Sequence, residues 1–181
     1  GNDVLDGTDG DDVLFGGDGD DVIRAGAGAD VVHGGRGGDT IDLGADGDVD
    51  RLVYGTGEFG TGLPLFQDSD TTAHIDKVDH LGVGDIIDLC RPFAGVPVAR
   101  TNYLNGLDAN EFALVRGSAS GGRFVQGAAA ADNDFILQWV SNGVVGSAIL
   151  HDVGSRAEFT IDRTAGTVTL AQPAPAMSLV T

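Results

Sequence analysis

The first fifty residues cycle between polar and apolar with a period of nine. From Gly7 the units read GTDGDDVLF, GGDGDDVIR, AGAGADVVH and GGRGGDTID, after a partial unit GNDVLD. The eighth place is always aliphatic (Leu5, Leu14, Ile23, Val32, Ile41), and the seventh is Val4, Val13, Val22, Val31 or Thr40. Six Gly- and Asp-rich residues predict a turn, because Gly reaches φ > 0 without steric cost and Asp bonds to nearby backbone. Three β-branched or aliphatic residues then predict a short strand. Side chains alternate across a strand, so the eighth residues share one face and the seventh and ninth share the other. The ninth residues, Asp6, Phe15, Arg24, His33 and Asp42, are mostly polar, which sets that face outward. Two units make one coil, and the coils stack into a parallel β-roll with the eighth residues inside.

The sixth place is always Asp: Asp3, Asp12, Asp21, Asp30 and Asp39. The next unit, around Leu43–Val53, is irregular. Asp48 keeps the nine-residue step, whereas Asp50 is the Asp followed by the aliphatic pair Leu52–Val53. We place Asp50 in register after a small insertion, with Asp48 as its neighbour.

Beyond residue 55 the pattern changes. Residues 56–75 show no period and read as a long insertion over the roll, within a roll-closing segment 56–90. Residues 91–181 read as antiparallel strands: EFALVRG (111–117), RFVQG (123–127), DFILQWV (134–140), VVGSAILHDV (144–153), EFTID (158–162) and TVTLA (167–171). Ser141-Asn142-Gly143 and RTAG mark hairpins. Phe135, Leu137 and Trp139 alternate toward one face. This half is expected to cap the roll, whose last coil would otherwise be an open sheet edge. The expected fold class is all-β, a parallel roll over 1–55 followed by an antiparallel cap.

Charge sharpens this picture. The chain of 181 residues carries a net −18. Residues 1–50 hold 14 Asp against Arg24 and Arg36, whereas residues 91–181 hold seven acids against six Arg. Phosphate attraction needs a basic surface, so nucleic acid is excluded as a partner. No apolar run approaches the roughly 20 residues that span a bilayer. One cysteine, Cys90, forms no internal disulfide. The roll's core of one aliphatic per unit is too thin to hold so much like charge. A cation that bridges turns must stabilise it, and flexible all-oxygen turns suit Ca²⁺ better than Mg²⁺. Because Gly1 opens inside the repeat pattern and no signal peptide precedes it, the chain reads as a fragment cut from a longer protein.

GGDGDDVIR at 16–24 resembles the RTX nonapeptide G-G-x-G-x-D-x-U-x, a Ca²⁺-binding β-helix repeat. DRLVYG at 50–55 looks like the strand closing such an array. DKVDHLGVGDIIDL at 76–89 is similar to the stretch that follows the roll in serralysin-type proteases and mannuronan epimerase R-modules, with His80–Leu81 where an aromatic is usual. The resemblance implies several Ca²⁺ ions between neighbouring coils. Each would take sixth-position Asp residues from repeats two apart: Asp3–Asp21, Asp12–Asp30, Asp21–Asp39 and Asp30–Asp50 (or Asp48). Turn carbonyls would supply the rest, around Gly10, Gly17, Gly19, Gly26, Gly28, Gly35 and Gly37, with Asp76 and Asp79 as candidates beyond the repeats.

Other chemistry is weakly supported. His33, His74, His80 and His151 lack an H-E-x-x-H or H-x-H motif and read as structural or solvated. Cys90 lacks a basic partner by spacing and is expected as a small buried hydrophobe. No G-x-S-x-G elbow surrounds Ser120 or Ser155. Arg91, Arg100, Arg116, Arg123, Arg156 and Arg163 could line a groove for an acidic polysaccharide, but read more simply as scattered surface charge.

The reading is a non-enzymatic calcium-binding RTX module that folds on Ca²⁺ after type I secretion and stabilises or anchors an extracellular parent protein. Its partners would be calcium ions and the type I secretion machinery, the latter reading a signal in the C-terminal region. The alternatives are an accessory polysaccharide-binding module and a structural S-layer or adhesin domain at the cell surface.

Overall fold

A computed structural model describes residues 1–54, 75–90, 112–120, 123–126, 133–141, 144–154 and 157–171. All but Ile75 of the insertion expected over 56–75, with His74, Arg91, Arg100, Arg156, the Asn142-Gly143 turn and the C-terminal tail, lies outside the described residues.

The described residues hold strands and turns and no helix, and none forms a helix long and apolar enough to cross a membrane. The repeats give β1 (Val4–Asp6), β2 (Val13–Asp18), β3 (Val22–Arg24), β4 (Val31–Arg36), β5 (Thr40–Asp42) and β6 (Arg51–Val53). They alternate between two sheets. β1, β3 and β5 pair in parallel on one side, and β2, β4 and β6 on the other, in an 18-residue register such as Leu5↔Ile23↔Ile41 that lengthens to 20 between β4 and β6. β2 and β4 run past their expected three residues because Gly17 pairs with Gly35 and Asp18 with Arg36. β7 (Asp76–Asp79) extends the first sheet and β8 (Ile86–Asp88) the second, both in parallel. Parallel stacking thus continues well past residue 55.

The C-terminal strands fall close to their expected spans: β9 (Phe112–Ser120), β10 (Arg123–Gln126), β11 (Asp134–Ser141), β12 (Val144–Leu150), β13 (Glu158–Asp162) and β14 (Thr167–Ala171). Neighbouring pairs are antiparallel. They continue the roll's own sheets: β12 joins β7 in parallel, and β14 joins β8 antiparallel.

The eighth residues point inward as expected. Ile23, Val32, Ile41 and Leu52, followed by Val78 and Ile87, are fully buried. They share one core with Phe135, Leu137 and Trp139 of β11 and with Val168 of β14. At the opposite end Leu5 and Leu14 are only partly covered, and Val4, Val13 and Phe15 are exposed.

Turn glycines permit the stacking. Gly17 and Gly35 both occupy the second place of their units and both have φ above +100°. A Cβ at Gly35 would strike the Gly17 carbonyl of the preceding coil, whereas one at Gly17 would meet open space. Gly17→Ala carries only the left-handed penalty of roughly 1–2 kcal/mol. Gly35→Ala adds a main-chain collision and is expected to lower stability by several-fold more. Denaturant midpoints of both variants in saturating Ca²⁺ test this; equal losses would refute the main-chain contact between turns.

Candidate metal centre

The sixth-position Asp residues form two ladders that join the coils. In one, the Asp3 amide donates to Asp21 Oδ1 (2.7 Å), that of Asp21 to Asp39 Oδ1 (2.9 Å), and that of Asp39 to Asp76 Oδ1 (2.9 Å). In the other, the amides of Asp12, Asp30 and Asp50 donate to Asp30, Asp50 and Asp85 at 2.8, 2.9 and 3.0 Å. The same residues' carbonyls accept from the seventh-position amide of the next coil, as in Val22 N to Asp3 O (2.9 Å). From Asp21 onward each carboxylate is therefore fixed by the rung amide of the coil before it, and Oδ1 is consumed in fixing it.

The second oxygen is left over. Oδ2 of Asp12, Asp21, Asp30 and Asp39 is buried and has no hydrogen-bond partner. A buried unpaired carboxylate oxygen costs several kcal/mol unless it is protonated or meets a cation. Two of these oxygens, on Asp12 and Asp21, open beside main-chain oxygen. A Cβ on Gly16 would touch both Asp21 Oδ2 and the Gly34 carbonyl. One on Gly7 would lie 2.9 Å from Asp12 Oδ2 and also against the Ala25 carbonyl, and one on Gly34 would touch Asp39 Oδ2. Among the described residues no three His, Cys, Asp or Glu side chains gather as a metal cage. A cation here would thus complete its shell from carbonyls, and an oxygen-only, flexible donor set fits Ca²⁺.

Electrostatics agree. Burial pushes Asp39 up to about 6, Asp50 up to about 7 and Asp76 up to about 8, with the charge of a neighbouring rung adding to each. Asp30 and Asp85 are raised too, again first by burial. The Tyr54 hydroxyl is buried beside Asp76 without a hydrogen bond of standard geometry, and burial followed by the Asp76 charge raises it well above the usual phenol range.

The expected turn glycines Gly10, Gly17, Gly19, Gly26, Gly28, Gly35 and Gly37 all have positive φ. Thr8, at the second place of its unit, is driven to φ 77° by the same turn shape. Asp50 sits in the ladder. Asp48 does not: it lies exposed on the turn, and its amide donates to Asp46 Oδ1 (2.8 Å). Asp76 is a rung, whereas Asp79 is a ninth-position residue opposite Asp42, 3.6 Å from His151 Nδ1. His151 Nε2 also approaches Asp134 (3.8 Å), His80 Nδ1 contacts Asp42 (2.6 Å), and His33 stacks on Phe15. Cys90, expected buried, is exposed; past β8 the backbone turns left-handed (φ 51°), and its amide bonds to Asp88 Oδ1. Arg116 lies in β9 of the first sheet and Arg163 in the β13–β14 turn of the second.

Two features escaped the sequence reading. Asp85 is a rung, signalled by the Asp–Ile–Ile triad that mimics the repeats. A counter-ladder also runs through the fifth place. Asn2 Oδ1 accepts from the Asp20 amide (3.1 Å), Asp20 Oδ1 from Gly38 (3.0 Å), and Asp11 Oδ1 from Ala29 (3.0 Å). Its signal was the polar side chain recurring at positions 2, 11 and 20.

The family model of the RTX calcium-binding nonapeptide repeat, in four copies, matches residues 1–32 and 15–50. No curated protein matches the chain.

Asn2 shows that an amide oxygen suffices at the fifth place. Asp20→Asn and Asp21→Asn each remove one charge and keep one acceptor oxygen, but only Asp21 presents a buried unpaired Oδ2. Calorimetry is expected to show lost calcium binding for Asp21→Asn and near-normal binding for Asp20→Asn; equal loss would mean that only net charge matters. A second expectation concerns pH. Unfolded carboxyls release their protons near pH ~4, whereas Asp39, Asp50 and Asp76 in the cation-free roll hold theirs until about 6, 7 and 8. The folded state then binds more protons across that window, so its stability falls as pH rises through it. In metal-stripped buffer the repeats should show more β-structure by circular dichroism at pH 5 than at pH 8. With saturating Ca²⁺ the order should flatten or reverse, since protons compete for the same oxygens. A metal-free chain more stable at pH 8 would contradict the charged stack.

Proposed function

We propose, from the premise that residues 1–50 are an array of RTX calcium-binding repeats, that the chain is a non-enzymatic folding module, secreted by a type I system, that becomes ordered when it meets extracellular Ca²⁺ and stabilises or anchors the protein that carries it. The observation that supports this most is the row of buried, unpartnered Oδ2 atoms on Asp12, Asp21, Asp30 and Asp39 within a segment of net charge −12.

Bound Ca²⁺ would supply positive charge to these oxygens. Everything else is the work of the chain. Asp21, Asp30 and Asp39 hold their carboxylates in place through the Oδ1 hydrogen bonds. The stacked turns bring the Ala25 and Gly34 carbonyls near the Asp12 and Asp21 oxygens. Where Ca²⁺ is scarce, as in a cytosol, like charge keeps the repeats extended and able to thread an export channel. Where it is abundant, each occupied rung adds RT ln(1 + [Ca²⁺]/Kd), about 2.7 kcal/mol at a hundredfold excess over Kd. Several such rungs are enough to convert an unfolded acidic segment into a rigid roll.

Circular dichroism of the chain in chelator is expected to show little β-structure over the repeats. Ca²⁺ should restore it with a midpoint in roughly the 10⁻⁴–10⁻³ M range of extracellular modules, and equal Mg²⁺ should not. Full β-structure in excess chelator would overturn the proposal.

A further inference from the structure

The turn His80–Asp85 has the six-residue length of a repeat turn, and Asp85 precedes β8 as Asp21 precedes β3. Its backbone is nevertheless different. Repeat turns are left-handed at their second and fourth places, as in Gly17 and Gly19, Gly26 and Gly28, or Gly35 and Gly37. In the turn over 80–85 those places hold Leu81, which is buried in the core, and the exposed Val83. The left-handed residues are instead the first and fifth, His80 (φ 58°) and Gly84 (φ 105°).

This change of shape alters what the carboxylate meets. The Gly82 amide donates to Asp85 Oδ2 at 2.6 Å, while the Asp50 amide takes Oδ1 at 3.0 Å. Both oxygens are engaged by main-chain N–H groups, which stabilise a carboxylate strongly. Asp12, Asp21, Asp30 and Asp39 each keep one oxygen unmatched. Among the described residues no further coil follows this turn to share a cation. Gly84 donates to the Leu170 carbonyl (2.9 Å) and Leu170 to that of Asp85 (3.3 Å), so antiparallel β14 takes the place a next parallel strand would need.

We propose that Asp85 is a closing rung that takes no calcium, and that the turn over 80–85 is the built-in end of the ion array. Two amides of the chain do there what a cation does at the inner rungs. The proposal rests on the calcium-binding reading of those inner rungs.

Calcium bound per folded chain is counted by equilibrium dialysis at saturating Ca²⁺ for the wild-type chain, Asp21→Asn and Asp85→Asn, with circular dichroism reporting folding. Asp85→Asn is expected to bind as many ions as wild type, and Asp21→Asn at least one fewer. A folded Asp85→Asn that binds one ion fewer overturns the proposal. Calcium-loaded crystals of the wild-type chain decide the matter even if that variant does not fold. Anomalous density is expected beside Asp21 and not beside Asp85, and a calcium peak at coordinating distance from the Asp85 carboxylate overturns the proposal. A wild-type chain that binds no calcium overturns the reading of the repeats as well, whereas a peak at Asp85 overturns the closing rung alone.

Discussion

From Asp21 to Asp85 each described coil stacks a buried carboxylate on the carboxylate of the coil before it. Rungs such as Asp21, Asp39 and Asp50 are almost completely buried. One oxygen of each is useful without any ion, because it accepts the preceding rung's amide and sets the spacing of the coils. The other oxygen makes the arrangement unfavourable, since burying unpaired negative charge costs more than the hydrogen bond returns. The residue that defines the geometry is thus also the one that forbids it until the charge is neutralised. A proton or a divalent cation can meet that demand, and the raised values at Asp39, Asp50 and Asp76 show how strongly burial favours the proton when no cation is there.

The apolar core connects this charged stack to the rest of the chain. Ile23, Val32 and Ile41 of the repeats belong to the same cluster as Leu137, Trp139 and Leu150. Trp139 fits because residue 146 is Gly; any Cβ there would run into its indole. Tyr54 packs against the same indole at 4.7 Å between ring centroids and reaches back to Asp76, the last rung of its ladder. The cap and the end of the ladder therefore share side chains as well as strands.

Much of this was legible because the repeat ties chemistry to position. A strict period places Ile23, Val32 and Ile41 inside, assigns sixth-position Asp to the joints, and requires left-handed backbone at Gly17, Gly19, Gly35 and Gly37. Asp50 could be preferred over Asp48 because an aliphatic pair follows it. What remained hidden depends on contacts between coils. The acceptor role of Asp11 and Asp20 appears only when the amide 18 residues later is brought above them. Asp85 was obscured because Leu81 and Val83 stand where repeats have Gly. Cys90 was misjudged because a left-handed residue after β8 turns it outward. The parallel pairing of β12 with β7 has no local signature, because a strand's own pattern does not name its neighbour.

The ladders are joined by unequal lengths of chain. Within the repeats the rungs are 18 residues apart, Asp30 to Asp50 spans 20, Asp50 to Asp85 spans 35 and Asp39 to Asp76 spans 37. In polymer terms this is nearly free. Closing a flexible loop costs only about 0.6 kcal/mol more for each doubling of its length, less than a single well-made rung contributes. The entropy of ring closure therefore exerts little pressure to keep coils contiguous in sequence. A roll of this kind can accept a foreign segment of some twenty residues between one turn and the next and still close, provided that the Asp on the far side returns in register.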